Sequence, residues 1–357
     1  QFPTVITLID SGLTSSLMMN LHWPRLAPAL LPLERRLQTL SILMWMSPWI
    51  FSPIISIICL MSSRPFIRYP FIAYLLYIFL FQSFQHTGTL RSAAFRRWIL
   101  WRYFASYFPM ALVKTADLPP DRPYIFGFHP HGIVGVSAFV TFATEATSFS
   151  STFPGITTHL LTISQSFRMP ILSLVLGAHG ICDASRHTCN TILSRGNGQS
   201  ITLVIGGARE ALDARPGTCD LTLTKRKGFI KMAIEHGASL VPVFAFGETD
   251  IYDQVNNPRG SFLRKWQEFF LQRFGFTFPI VKGRGIFNYD FGLLPRRRPI
   301  VTVIGEPIHV EKFPRGEITL EMVDSLHYKY VDSLKTLYNT YKSSYAPSNE
   351  ACFRLIE

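Results

Sequence analysis

Tyr124-Ile125-Phe126-Gly127-Phe128-His129-Pro130-His131-Gly132 is the stretch on which the reading of this chain turns. An apolar run of strand length, closed by proline and glycine, predicts a buried strand that ends in a tight turn. Two imidazoles on that turn predict a proton-transfer site. Histidine titrates near neutrality, Pro130 fixes one backbone angle, and Gly132 lets a substrate approach the main chain. Alone, such a His-x-His pair also reads as a structural pair or as half of a metal site.

Downstream, further strand-like runs at 201–205, 240–246 and 300–304 alternate with helical stretches at 133–145, 229–236, 261–274 and 318–341. This alternation predicts an α/β fold, a mixed sheet covered by helices with reactive residues on the loops that leave strand ends. Gly206-Gly207-Ala208-Arg209-Glu210 repeats the placement of a turn after a strand. Its glycines permit a sharp turn, and Glu210 is placed to hydrogen-bond a ring nitrogen of a histidine, as the orienting carboxylate of a triad does. An ordinary turn with a solvated glutamate fits the same residues. In the third motif Lys225, Arg226, Lys227 and Gly228 open a helix that carries Lys231. A helix N-terminus with added cations suits a multiply anionic ligand such as coenzyme A, although a charge run can also be a plain solvated face.

Upstream the composition changes. The chain of 357 residues is 48% hydrophobic and 16% charged, which is apolar for a soluble protein. Leu37 to Ser63 holds no charged residue, and Tyr69 to Leu90 none apart from the ionisable His86. Each run is long enough to cross about 30 Å of hydrocarbon, and only Arg64 to Arg68 separates them, so 37–90 is expected to form a membrane hairpin. Arginines 35, 36, 91, 96, 97 and 102 outside the hairpin favour cytosolic ends. Pro48, Pro53 and Pro70 make a shallow re-entrant hairpin nearly as good a reading. In 91–116 basic residues are interleaved with aromatics. On a helix Ala94, Trp98, Trp101, Ala105 and Phe108 share one side, while Arg96, Arg97 and Arg102 can reach lipid headgroups. A basic-rimmed helix packed on the domain core fits equally. The expected division is therefore 1–36 as an N-terminal segment, 37–90 as hairpin, 91–116 as interfacial segment and 117–357 as the catalytic domain.

Several classes of function lose support. The net charge of +12 does not form the polar stripe expected of a nucleic-acid binder. Five cysteines, Cys59, Cys182, Cys189, Cys219 and Cys352, contain no Cys-x-x-Cys pair, so neither a zinc ribbon nor a disulfide framework is expected. A first apolar run that begins this far along argues against a cleaved signal peptide. Gly135-Val136-Ser137-Ala138-Phe139 lacks the closing glycine of a nucleophile elbow, and neither a phosphate loop nor a dinucleotide fingerprint is present. A metal held by His129 and His131 would need further ligands such as His159 or His179, and no metal is expected.

In this order the motifs resemble the type-2 diacylglycerol acyltransferase family, which includes monoacylglycerol acyltransferases and wax synthases. The resemblance rests on residues 124–132, on Gly206 to Glu210, on Arg226-Lys227-Gly228-Phe229 with Leu240-Val241-Pro242-Val243 and Phe246-Gly247, and on Val303-Ile304-Gly305-Glu306-Pro307-Ile308. It implies a glycerolipid-acyltransferase-like domain in the endoplasmic reticulum membrane and on lipid droplets, its catalytic part facing the cytosol. The implied reaction moves a fatty acyl group from acyl-coenzyme A, a co-substrate rather than a cofactor, to a lipid hydroxyl such as that of diacylglycerol. His131 is then the expected base, His129 shapes the site, Gly132 supplies an oxyanion N–H, and Glu210 stands in for a missing carboxylate. The wider glycerolipid acyltransferases carry His-x4-Asp, whereas the fifth residues after His129 and His131 here are Val134 and Val136. Membrane lipid is an expected partner and nucleic acid is not. A homo-oligomer is compatible with the chain, and no motif encodes one. A droplet coat or lipid carrier would use the hairpin but leave both histidines and Glu210 unexplained.

Overall fold

The run that ends at His129 lies in the middle of a seven-stranded sheet. The structure, a computed structural model, describes residues 25–28, 30–346 and 353–356; Cys352 lies outside them. The strands are β1 (Met110–Lys114), β2 (Tyr124–His129), β3 (Thr157–Thr162), β4 (Cys182–Asp183), β5 (Gln199–Val204), β6 (Ser239–Phe246) and β7 (Ile300–Ile304). Their spatial order is β1-β7-β6-β2-β5-β3-β4, and every neighbouring pair is parallel except β7 with β6.

Every residue of β2 is buried, because β5 and β6 flank it and helices cover both faces of the sheet. Strand periodicity sends Tyr124, Phe126 and Phe128 to one face and Ile125, Gly127 and His129 to the other. The first three join a core formed with α3 (Ile99–Tyr107) and α4 (Val136–Ala143), while Ile125 joins one formed with α6 (Gly228–His236) and α8 (Leu320–Tyr345). Each buried phenylalanine contributes roughly 1.5–3 kcal/mol. Gly127 carries no side chain because Tyr330 occupies the space: a Cβ there would lie 1.9 Å from the tyrosine oxygen.

The apolar N-terminal region forms α1 (Leu33–Met61) and α2 (Pro65–Phe81), which pack on each other. Among the described residues only α1 is long and apolar enough to cross a membrane by length and composition, so the expected hairpin pairs one candidate span with a shorter apolar helix. The seventeen residues of α2 rise roughly 25 Å at 1.5 Å each, short of the hydrocarbon thickness. The early part of α1 is held by the domain through buried Ile42 and through Trp45, whose ring lies 5.5 Å from Phe104 and 5.7 Å from Phe139. Beyond it, Phe51, Ile58 and Met61 are exposed. The end of the second apolar run turns back into the domain, where Phe84 is buried and His86 Nδ1 lies 2.8 Å from the Thr188 hydroxyl.

Arg96 differs from its expected place at the lipid headgroups. It is 1% exposed and donates to the carbonyls of Phe142 and His179 and to Glu145. Those acceptors outbid water for the guanidinium, and Trp101 beside it is buried too. Arg97, Trp98 and Arg102 remain exposed.

Candidate active site

Three neighbouring strands, β6, β2 and β5, end side by side, and the polar groups of the site follow directly from those ends. Phe128 pairs with Val243 and Val204, so the turns after Phe246, His129 and Val204 converge at the carboxyl edge of the parallel strands. Those turns carry Glu248, His131 and, at the start of α5 (Gly207–Asp213), Glu210.

His129 is fully buried, and its Nε2 lies 3.1 Å from the Tyr330 hydroxyl. The hydroxyl donates to the Gly127 carbonyl at 3.1 Å, so it spends its one proton there and Nε2 must donate to it. The Nδ1 lone pair of His129 is therefore buried with no partner. Burial pushes this imidazole down to about 3, so it stays neutral.

His131 is half-buried and has the opposite tautomer. Its Nδ1 donates to the Gly132 carbonyl at 3.0 Å, which leaves the Nε2 lone pair free to accept a proton. Burial lowers its pKa, and the Gly132 bond opposes that shift. Gly132 has φ +59°, and a Cβ on it would lie 2.8 Å from Glu248 Cγ, so the turn has room only for glycine.

Glu210 is buried but does not bond a ring nitrogen, as the sequence had suggested. Its Oε1 accepts the main-chain N–H of His131 at 2.5 Å and its Oε2 accepts that of Thr222 at 3.0 Å. The carboxylate is short and α5 begins only at Gly207, so it reaches the backbone of the turn rather than the imidazole. Burial raises its pKa to about 7, against the pull of those two N–H groups and of Arg226. Gly206 makes the approach feasible, since a Cβ there would sit 2.0 Å from Glu210 Oε2.

Sequence reasoning missed Glu248 and Tyr330. Glu248 is fully buried and accepts the N–H groups of Val136 at 2.8 Å and Ser137 at 2.9 Å, together with the Ser137 hydroxyl. It thus caps α4, the helix that leaves the histidine turn. Burial raises its pKa to about 7. Its signal was Phe246-Gly247-Glu248, a third glycine turn after a strand. Tyr330 had no local signal, because its partner lies 201 residues away.

The basic run stands beside these groups. Lys225, Arg226, Gly228 and Lys231 are exposed, whereas Lys227 is half-buried and pairs with Asp324 at 2.7 Å. α6 has no side-chain N-cap, so its first N–H groups remain available to an anion. The next residue, Phe229, packs its ring 5.0 Å from that of Tyr330 and so links the basic motif to the His129 side of the sheet.

Among the described residues, no three His, Cys, Asp or Glu side chains gather closely enough to hold a metal ion. His159 and His179 are buried elsewhere, with Nδ1 on the Gly180 and Ala143 carbonyls.

The family model for diacylglycerol acyltransferase matches residues 66–355. The chain is 45% identical to diacylglycerol O-acyltransferase 2B of Umbelopsis ramanniana, over 92% of this chain and 93% of that one. It belongs to the diacylglycerol acyltransferase family. It is also 41% identical to 2-acylglycerol O-acyltransferase 1 of Bos taurus, over 91% of this chain and 97% of that one. A solved structure, the 1-acyl-sn-glycerophosphate (LPA) acyltransferase PlsC from Thermotoga maritima, is similar over 87% of this chain and 97% of its own, with 12% identity and a TM-score of 0.41. Every motif of the site falls within the stretch matched by the diacylglycerol acyltransferase model.

Proposed function

We propose that this family member is a membrane-bound O-acyltransferase that moves a fatty acyl group from acyl-coenzyme A to the free hydroxyl of diacylglycerol, forming triacylglycerol. The observation that carries the reading is the His131 tautomer, in which the Gly132 carbonyl takes the Nδ1 proton and leaves Nε2 as a base. The acceptor hydroxyl gives its proton to Nε2 as its oxygen attacks the thioester carbonyl. The tetrahedral intermediate then expels coenzyme A thiolate, which takes that proton back from the imidazolium. No covalent enzyme intermediate is needed. Positioned base catalysis supplies roughly 10²- to 10⁴-fold, and orientation with an oxyanion donor, the Gly132 N–H, supplies more.

Glu210 and Glu248 are positioning residues in this scheme, holding the two ends of the histidine turn. Lys225, Arg226, Lys227 and Lys231, with the α6 N-terminus at Gly228, bind the phosphates of the donor. The exposed apolar length of α1 supports a membrane-anchored enzyme. We place it in the endoplasmic reticulum membrane and on lipid droplets, with its catalytic domain toward the cytosol.

Monoacylglycerol or a long-chain alcohol is the second reading of the acceptor. It is favoured by the 41% identity to an enzyme named for 2-acylglycerol. The test is product formation from labelled acyl-coenzyme A with a panel of the three acceptors. Triacylglycerol as the main product is expected, a dominant product from another acceptor transfers the assignment, and none at all returns the chain to a droplet-coat or carrier role.

A further inference from the structure

α7 (Phe262–Phe274) is built inside out. Its buried side chains are the polar Arg264 and Gln267, while Phe262 is 87% and Phe269 58% exposed. Arg264 is bound by Asp213 at 2.7 Å and by Glu268 at 2.8 Å, and Gln267 by Asn257 at 2.7 Å. Asp213 is the last residue of α5, the helix that carries Glu210. The polar face is thus fastened to the catalytic end of the domain and the aromatic face is turned outward. A helix in water has the reverse arrangement.

The outward rings continue past the helix. Trp266, Phe270, Phe274, Phe276 and Phe278 pack on one another, and none of them belongs to either buried core. This surface also adjoins the membrane helices. Gln165, two residues before Phe167, whose carbonyl accepts from Gln82 just past the end of α2, donates to the Phe274 carbonyl at 2.9 Å. Phe287, 78% exposed, lies on a loop whose carbonyl accepts the Ala27 N–H at 2.8 Å. Farther along that loop Arg297 donates to the Arg35 carbonyl at 3.2 Å, at the start of α1. Between 256 and 298 the acidic residues are Glu268 and Asp290, each paired with an arginine, whereas Lys265, Arg273 and Lys282 stay exposed.

We propose that the aromatic face of α7 and the Phe287 loop form a second membrane contact, seated in the interfacial layer of a bilayer with anionic headgroups. An outward aromatic face, a basic fringe and continuity with the base of α1 together select a lipid surface over a second protein. Two contacts instead of one hold the domain in a fixed tilt, with α7 between the bilayer and the Glu210 helix.

The test is lipid photo-crosslinking with the full chain in vesicles of phosphatidylcholine and phosphatidylserine whose acyl chains are radiolabelled. A photoreactive phenylalanine analogue replaces Phe262, Phe269 or Phe287 in turn. Exposed Glu311, at the far end of α6, serves as the control position. Lipid adducts several-fold above the Glu311 control at all three positions are expected. Adducts no greater than at Glu311, or crosslinks to a second copy in place of lipid, overturn the proposal. The readout needs no turnover, so it stands apart from the assignment of the reaction.

Discussion

Oε1 of Glu210 lies 2.5 Å from the main-chain nitrogen of His131, so the carboxylate holds the backbone of the turn and leaves the imidazole free to meet a proton. Both oxygens of Glu210 accept main-chain N–H groups, so Glu210→Gln must point an amide NH₂ at one of them. We expect a loss of about 1–3 kcal/mol in positioning, or roughly 5- to 150-fold in turnover. His131→Ala should cost roughly 10²- to 10⁴-fold. The double variant should be little worse than His131→Ala, since a turn without its base gains nothing from being held. Turnover of the four proteins with acyl-coenzyme A saturating decides this, and multiplicative losses would separate Glu210 from the base.

Tyr330→Phe removes both the acceptor for His129 Nε2–H and the donor to the Gly127 carbonyl. Two buried polar groups lose their partner, at a cost of about 1–3 kcal/mol in stability. If the tautomer of His129 matters to the reaction, kcat falls while KM for both substrates holds. A lower melting temperature with unchanged kcat would confine Tyr330 to a structural role.

Replacing Lys225 and Arg226 by glutamine should raise KM for acyl-coenzyme A several-fold and leave that for the acceptor alone, because phosphate contacts bind without reacting. Lys227→Gln should affect the donor less than Arg226→Gln does, since Asp324 already engages its amine. Equal changes in both constants would return the run to a solvated face.

Glu210 and Glu248, ordinarily near 4.5, are raised by burial to about 7. Between those values the folded protein keeps protons that the unfolded chain has released. Their contribution to stability therefore falls as pH rises from about 4.5 to about 7 and is level above. Ionised Glu210 is the better acceptor for the His131 N–H, so activity should instead rise through the same window. The acid limb of kcat/KM is expected near pH 7. In Glu210→Gln it should move below 6.5, the ordinary histidine value, because burial lowers His131. Rate profiles and melting temperatures at pH 5 and 8 check both halves.

The central strands were legible because burial on both faces writes itself as a continuous apolar run, and 124–128 and 300–304 match β2 and β7 within a residue. β3 escaped notice because Thr157-Thr158-His159 opens it with polar residues, satisfied in place by contacts such as that between the Thr158 and Thr202 hydroxyls at 2.9 Å. β1 was read as part of the basic aromatic segment, being an edge strand of five residues. In the site, His131 and Glu210 stood out in the sequence beside their glycine turns, whereas Glu248 beside Gly247 did not. What these residues touch was not legible: a carboxylate that binds backbone and a tyrosine that fills the space above a glycine are relations in space, and neither leaves a periodic trace. Arg96 shows the same limit, since only the fold reveals the carbonyls that surround it.

The hydroxyl that sets the tautomer of His129 belongs to α8, whose residues emerge from the ribosome after every other described part of the site. A nascent chain that has reached Ile318 already carries both histidines, both buried glutamates and the basic run, yet Gly127 still faces an empty groove and His129 has nothing to receive its proton. A chain cut short before α8 would therefore carry every motif of the site and still lack the one hydroxyl that fixes the tautomer of His129.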